Sequence, residues 1–340
     1  MAFFRRTGPG TERGGGTRSA DGIKAAAAAL AAALLVAMTI DACAGRRDSA
    51  RADAKGGRSA SSSVETEDCP KELGRLLILE LPSSPFPHRE RSSGYRYEGD
   101  DYGFEAHYDD PSVSVFLPAD FKPGRSIDIV VFFHGWLSSR SKAAEDFSLL
   151  RQFKDSGARA ILVIPETAKD SPDSFGGKLE DRGGFERFVR DLLAALRGDG
   201  VLRSARPGRI VLAGHSGAYR VISRILTQEG LSSHVEEVYL FDALFGGENE
   251  FRDWIRAKGK RFVYVLSEGG GTEESARSLA RSLEDSGVEA KWAQDDPAED
   301  SRDFASRVLF VTSPSDHYGV VHDRNEFERL LEWSKAIGRR

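Results

Sequence analysis

From residue 74 onward the chain alternates between short continuous apolar runs and longer stretches whose apolar positions recur three or four apart. The runs GRLLILEL (74–81), SVSVFL (112–117), DIVVFFHG (128–135), RAILVIPE (159–166), RIVLAG (209–214), EVYLFDALF (237–245), RFVYVLSE (261–268) and RVLFVTS (307–313) predict strands. The segments 143–157, 185–198, 218–230 and 326–338, with FRDWIRAKG and ESARSLARSLEDSG, predict helices, several closing on glycine. Strands that are apolar throughout are buried on both faces. The pattern therefore predicts an α/β architecture, a central, mostly parallel sheet with helices on both sides. In such sheets ligands bind beyond the carboxyl ends of the strands. No repeat of 20 to 50 residues is visible, which excludes a solenoid.

The first 72 residues lack this pattern except in one block, AAAAALAAALLVAMTI (25–40), preceded by Arg5, Arg6, Arg13, Arg18 and Lys24. A basic region ahead of a continuous apolar stretch resembles an export signal. Its 16 residues are short for a membrane span, which needs about 20. Ile40-Asp41-Ala42-Cys43 resembles a bacterial lipobox, with Cys43 as the lipidated residue; Asp41 departs from that pattern. Ala42-Cys43-Ala44 also fits a simple cleavage site, and an uncleaved anchor helix is the third reading. The small, polar segment that follows suits a flexible tether. The expected organisation is a signal over 1–43, a tether over 44–72 and one domain over 73–340. The expected location is the cell envelope, through a lipid anchor, or otherwise secretion or the periplasm.

Composition narrows the function. The chain of 340 residues is 40% hydrophobic, enough for a sizeable core, and its formal net charge is −5. An acidic body with no basic stripe argues against nucleic-acid binding. Cys43 and Cys69 are the only cysteines, and neither spacing nor neighbours suggest a zinc site or a thiol nucleophile. No metal or cofactor is expected.

One junction points to chemistry. In RIVLAGHSGA (209–218) an apolar strand runs straight into small residues around Ser216. A serine hydroxyl is a weak nucleophile and needs a base, an orienting acid and donors for the developing oxyanion. Gly214 and Ala218, each two residues from the serine, permit a tight strand-to-helix corner. Gly-x-Ser-x-Ala is one methyl from the Gly-x-Ser-x-Gly nucleophile elbow. Of seven histidines, His88 and His107 lie in a polar region expected at the surface, and His234 lies in a turn. His134 and His215 are embedded in local motifs, and His322 opens the last helix. His317, in TSPSDHYGVVHDR after the final strand, is the candidate base.

These motifs resemble the α/β-hydrolase family of serine hydrolases over about residues 115 to 340, in the chain order serine, acid, histidine. The resemblance implies metal-free hydrolysis through an acyl-enzyme. It implies oxyanion donors at the N–H groups of Gly217 and Trp136, the latter in FFHGWLSS (132–139), with Leu137 as a substitute. The acid is expected after a strand. Asp242 is the only charge between Val238 and Gly247 and would need a partner if buried. Glu268, beside three glycines, is the alternative acid, and Asp316 adjoins His317 too closely in sequence.

The expected substrate is a small-molecule carboxylic ester, with an amide as the alternative. The rivals are a catalytically inactive surface binding protein of the same fold and a serine peptidase. SEGGGTEES (267–275) carries glycines before a helix but also three glutamates. Thr272 therefore reads as a helix N-cap rather than part of a phosphate cradle. QDDPAEDSRD (294–303) lacks the pattern of a calcium loop. The polar segment 167–184 could line or partly cover a pocket, being too short for a large apolar lid.

Overall fold

The computed structural model describes residues 64–257, 260–296 and 301–339. The export-signal block and Cys43 lie outside them. Strands are β1 (Val64–Glu67), β2 (Gly74–Glu80), β3 (Tyr95–Tyr97), β4 (Asp100–Tyr102), β5 (Ser112–Pro118), β6 (Ile127–Phe133) and β7 (Ile161–Pro165). They continue as β8 (Pro207–His215), β9 (Val235–Phe241), β10 (Arg261–Ser267), β11 (Lys291–Gln294) and β12 (Val308–Ser313). The helices are α1 (Phe104–His107), α2 (Arg140–Asp146), α3 (Leu149–Asp155), α4 (Gly184–Gly198), α5 (Tyr219–Leu226), α6 (Glu248–Ile255), α7 (Glu273–Asp285) and α8 (Glu326–Glu332).

Ten strands form one sheet in the order β1-β2-β5-β7-β6-β8-β9-β10-β12-β11. From β7 to β11 all neighbours pair in parallel, while β5 runs against both β2 and β7. This is the expected α/β-hydrolase architecture. Alternation along each strand divides two cores. In β6, Ile127, Ile129, Val131 and Phe133 join α4 to α7 on one face. Val130 and Phe132 join α2, α3 and α8 on the other. In α4 the stripe Phe185, Phe188, Val189, Leu192, Leu193, Leu196 is buried, each side chain contributing about 1.5–3 kcal/mol relative to exposure.

Several expectations change at the margins. The tether does not run to residue 72: Val64–Glu67 pairs antiparallel with β2 as an edge strand. The helix expected over 143–157 is two, because Ser148 takes a left-handed conformation (φ 50°) and starts α3 anew. The helices expected over 218–230 and 326–338 end at Leu226 and Glu332. The polar stretch before β5 holds the β3–β4 hairpin, and Lys291–Gln294 adds an edge strand beside β12. His88 is buried rather than on the surface, with Nε2 3.5 Å from Asp181. Among the described residues no helix is long and apolar enough to cross a membrane.

Candidate active site

The carboxyl ends of β6, β8, β9, β10 and β12 meet at Ser216. As β8 ends, Ser216 adopts φ 54° and a single 3₁₀ turn leads into α5. A side chain in this left-handed region is strained, a cost of order 1–3 kcal/mol. Small neighbours make the corner possible. A Cβ on Gly214 would lie 2.6 Å from the Ala218 Cβ and 2.8 Å from Ile222. A Cβ on Gly135 would lie 2.8 Å from the Ser216 Cβ and 3.0 Å from the His215 carbonyl.

The three residues expected to act together are brought into one chain of hydrogen bonds. Ser216 Oγ lies 3.0 Å from His317 Nε2, and His317 Nδ1 lies 2.8 Å from Asp242 Oδ2. Because a carboxylate only accepts, Nδ1 carries the proton and Nε2 is left to accept from the serine hydroxyl. Asp242 is 2% exposed. Burial alone would raise its carboxyl. The hydrogen bond and charge of His317, with the hydroxyls of Thr272 and Ser267, outweigh that and hold it below the usual range. Ser267 Oγ donates to Oδ2 at 2.7 Å and Thr272 Oγ1 donates to Oδ1, while Tyr264 donates to Thr272 Oγ1 at 2.6 Å. Glu268, by contrast, is exposed, with its backbone N–H on the Ser313 carbonyl. The carboxylate at His317 is that of Asp242.

The loop after β6 approaches from the other side. Gly217 lies in the first turn of its helix, where the intrahelical ladder cannot satisfy an N–H. The Gly135 carbonyl accepts from His134 Nδ1 at 2.8 Å. In a trans peptide the C=O and the following N–H point in opposite directions, so the Trp136 N–H is turned away from His134. His134 Nε2 in turn accepts from the Thr167 N–H at 3.2 Å, with Thr167 Oγ1 2.7 Å away. Leu137 is removed as a substitute donor, because its N–H is given to the Ser171 carbonyl at 3.1 Å. The Trp136 indole donates to Ser174 Oγ at 2.7 Å and covers Gly217, whose Cβ would fall 2.5 Å from the ring. Ser174 belongs to the polar segment 167–184, which therefore does line the site.

Two residues in contact with the triad, Thr272 and His215, have roles that their local patterns conceal. Thr272 does occupy the N-cap position of α7, but its side chain makes no capping bond and serves Asp242 instead. Gly270 in the same run leaves room for these bonds: a Cβ there would fall 2.2 Å from Ser267 Oγ and 3.3 Å from Asp242 Oδ2. His215 donates Nε2–H to the His317 carbonyl at 2.6 Å, and the two rings lie 4.6 Å apart. Burial, then the neighbouring His317, push its pKa down to about 3, so it stays neutral. Among the described residues no group of three or more His, Cys, Asp or Glu could hold a metal ion.

No family model matches the chain, and no curated protein does. Among solved structures it is similar to S-formylglutathione hydrolase from Staphylococcus aureus (10% identity, TM-score 0.47), over 81% of this chain and 96% of that one. It is similar to the S-formylglutathione hydrolase from Agrobacterium tumefaciens (11%, TM-score 0.47), over 81% and 99%. It is also similar to a feruloyl esterase module from Clostridium thermocellum (12%, TM-score 0.45), over 82% and 96%.

Proposed function

We propose that the protein is a serine hydrolase that cleaves a carboxylic ester through an acyl-enzyme. The supporting observation is the unbroken relay from Ser216 Oγ through His317 to a buried Asp242. Ser216 Oγ attacks the carbonyl carbon while its proton passes to His317 Nε2. The oxyanion settles against the N–H groups of Gly217 and Trp136. As the carbon–oxygen bond to the alcohol breaks, His317 returns the proton to the departing oxygen and an acyl-serine remains. Water, deprotonated by His317, then attacks the acyl-serine, and the carboxylic acid leaves as Ser216 is reprotonated. Asp242 holds the tautomer and stabilises the imidazolium formed at each step.

The test is reaction of the purified protein with a fluorophosphonate probe, compared with Ser216→Ala. Labelling of the native chain alone supports the reading; an unlabelled native chain favours a surface binding protein. We also propose that the chain is exported and anchored through lipid on Cys43. The apolar block three residues before that cysteine and the polar stretch after it support this reading. A fatty-acid analogue should mark the native protein in a bacterial host and not Cys43→Ser; equal incorporation into both would overturn the anchor.

A further inference from the structure

Among the described residues only Phe245, 37% exposed, and Tyr318, 46% exposed, present large apolar surface to solvent. They are distant in sequence, yet both lie against His317, with ring centroids 6.2 Å and 5.5 Å away. Phe245 follows the acid-bearing end of β9, with Tyr219 behind it at 6.4 Å. Tyr318 also faces His215 at 5.6 Å. Isolated exposed aromatics are ordinary, but two on one functional imidazole form a surface.

Their side of the site matters. The carbonyl oxygen must face Gly217 and Trp136. The atom that leaves must face His317 Nε2, because that nitrogen supplies its proton. Groups around His317 therefore touch the alcohol half of an ester, not the acyl half. The charge there is negative: the exposed Asp316 carboxylate accepts from the Tyr318 N–H at 3.0 Å, and after burial Asp146 and Asp316 push the Tyr318 hydroxyl up. The cation beside Tyr219, Arg220, is paired with Glu180 at 3.0 Å and stacks over Phe175.

We infer that Phe245 and Tyr318 form a subsite for the leaving group, selecting esters of flat, apolar alcohols that carry no negative charge. This rests on the hydrolase reading above. An aromatic contact of this kind changes the preference by about threefold to tenfold. Exposed carboxylates add a smaller, salt-sensitive discrimination against anions.

The experiment compares acetate esters that share one acyl group. Benzyl acetate is set against 2-methoxyethyl acetate, whose alcohols differ little in acidity, so intrinsic reactivity does not mask binding. The benzyl ester should show a higher kcat/KM, mainly through KM. At low salt, 4-(acetoxymethyl)benzoate should fall below the uncharged benzyl ester, and the gap should narrow as salt rises. In Phe245→Ala and Tyr318→Ala the benzyl preference should shrink toward unity, while Tyr318→Phe should keep it. Fluorophosphonate labelling of Ser216 verifies that each variant is folded. Unchanged benzyl preference in both alanine variants, or equal turnover of the anionic ester at low salt, overturns the subsite. A native chain that neither reacts with the probe nor hydrolyses any ester overturns the hydrolase reading itself.

Discussion

Thr272→Val removes a hydroxyl and keeps the volume, which isolates the hydrogen bonds that this residue makes. Two are lost. Asp242 Oδ1 loses a donor, and the Tyr264 hydroxyl, fully buried, loses its acceptor. A neutral buried hydrogen bond is worth about 0.5–1.5 kcal/mol, so the melting temperature should fall by roughly 1–6 °C for a domain of this size. The catalytic effect is separable. A hydrogen bond to a charged group is worth about 1.5–3 kcal/mol, and one decade of rate corresponds to about 1.4 kcal/mol. Loss of part of that bond predicts a fall in kcat/KM of about tenfold. The direction with pH follows from the same bond. Thr272 is among the groups that hold the Asp242 carboxyl low. Without it the carboxylate becomes more basic and pulls harder on the shared proton. The acid limb of the kcat/KM profile should then move to higher pH. Thr272→Ser restores the hydroxyl and should restore both limb and rate. A Thr272→Val enzyme that melts early yet keeps the native rate and pH profile would refute the positioning role and leave a packing one.

Asp242→Asn should fold and lower kcat by about 10⁴, the scale known for a triad acid that can no longer hold the tautomer; Glu268→Gln should stay near native, and the reverse pattern in steady-state kinetics would reassign the acid. Gly135→Ala should abolish fluorophosphonate labelling, since its Cβ would meet the Ser216 Cβ and the rigid His215 carbonyl within 3.0 Å; native labelling would show that the loop yields. Glu326 is buried, and burial, with the charge of Asp295, pushes its carboxyl up to about 8. Its unfolded value is about 4.3, so between these values the folded chain binds the extra proton, and stability is lost as pH rises through that window. Glu326→Gln should flatten this fall in melting temperature between about pH 5 and 8, and an unchanged slope would refute it.

What the sequence disclosed depended on whether the physical cause was local. The elbow was legible because strand, small residues and helix follow one another around Ser216. Asp242 was legible as a lone charge in an apolar run, a placement that demands a partner. His317 emerged once the other histidines had local explanations. Thr272 and Ser267 were hidden for the opposite reason. Their partner lies 30 and 25 positions away, and a threonine ahead of a helix already has a sufficient local account as a cap. The break at Ser148 was hidden too, because the apolar spacing continues across it while the backbone does not. The β3–β4 hairpin reads as polar loop, since Tyr95 and Tyr102 pack around a small satellite cluster on Phe86, Tyr108, Ala168 and Phe175 rather than on the main sheet.

Strain links these observations. Of the seven non-glycine residues with positive φ among those described, three are Leu137, Ser216 and Asp242. Ser216 and Asp242 directly follow the ends of β8 and β9, Leu137 lies in the loop after β6, and each such residue costs about 1–3 kcal/mol. A relaxed continuation of β8 would carry Ser216 onward with the strand, away from the base. The left-handed turn instead aims Oγ at His317, and the turn at Asp242 sets its carboxylate among Ser267, Thr272 and the same imidazole. The parallel strands beneath supply the compensation. Phe132, Phe133, Ala213, Leu240 and Phe241, next to these turns, are fully buried, so the strand ends cannot shift to relieve the strain. A hydroxyl in so tight a corner is thus poorly explained by turn formation, which Gly217 alone could serve at lower cost. It is explained by what the corner points at.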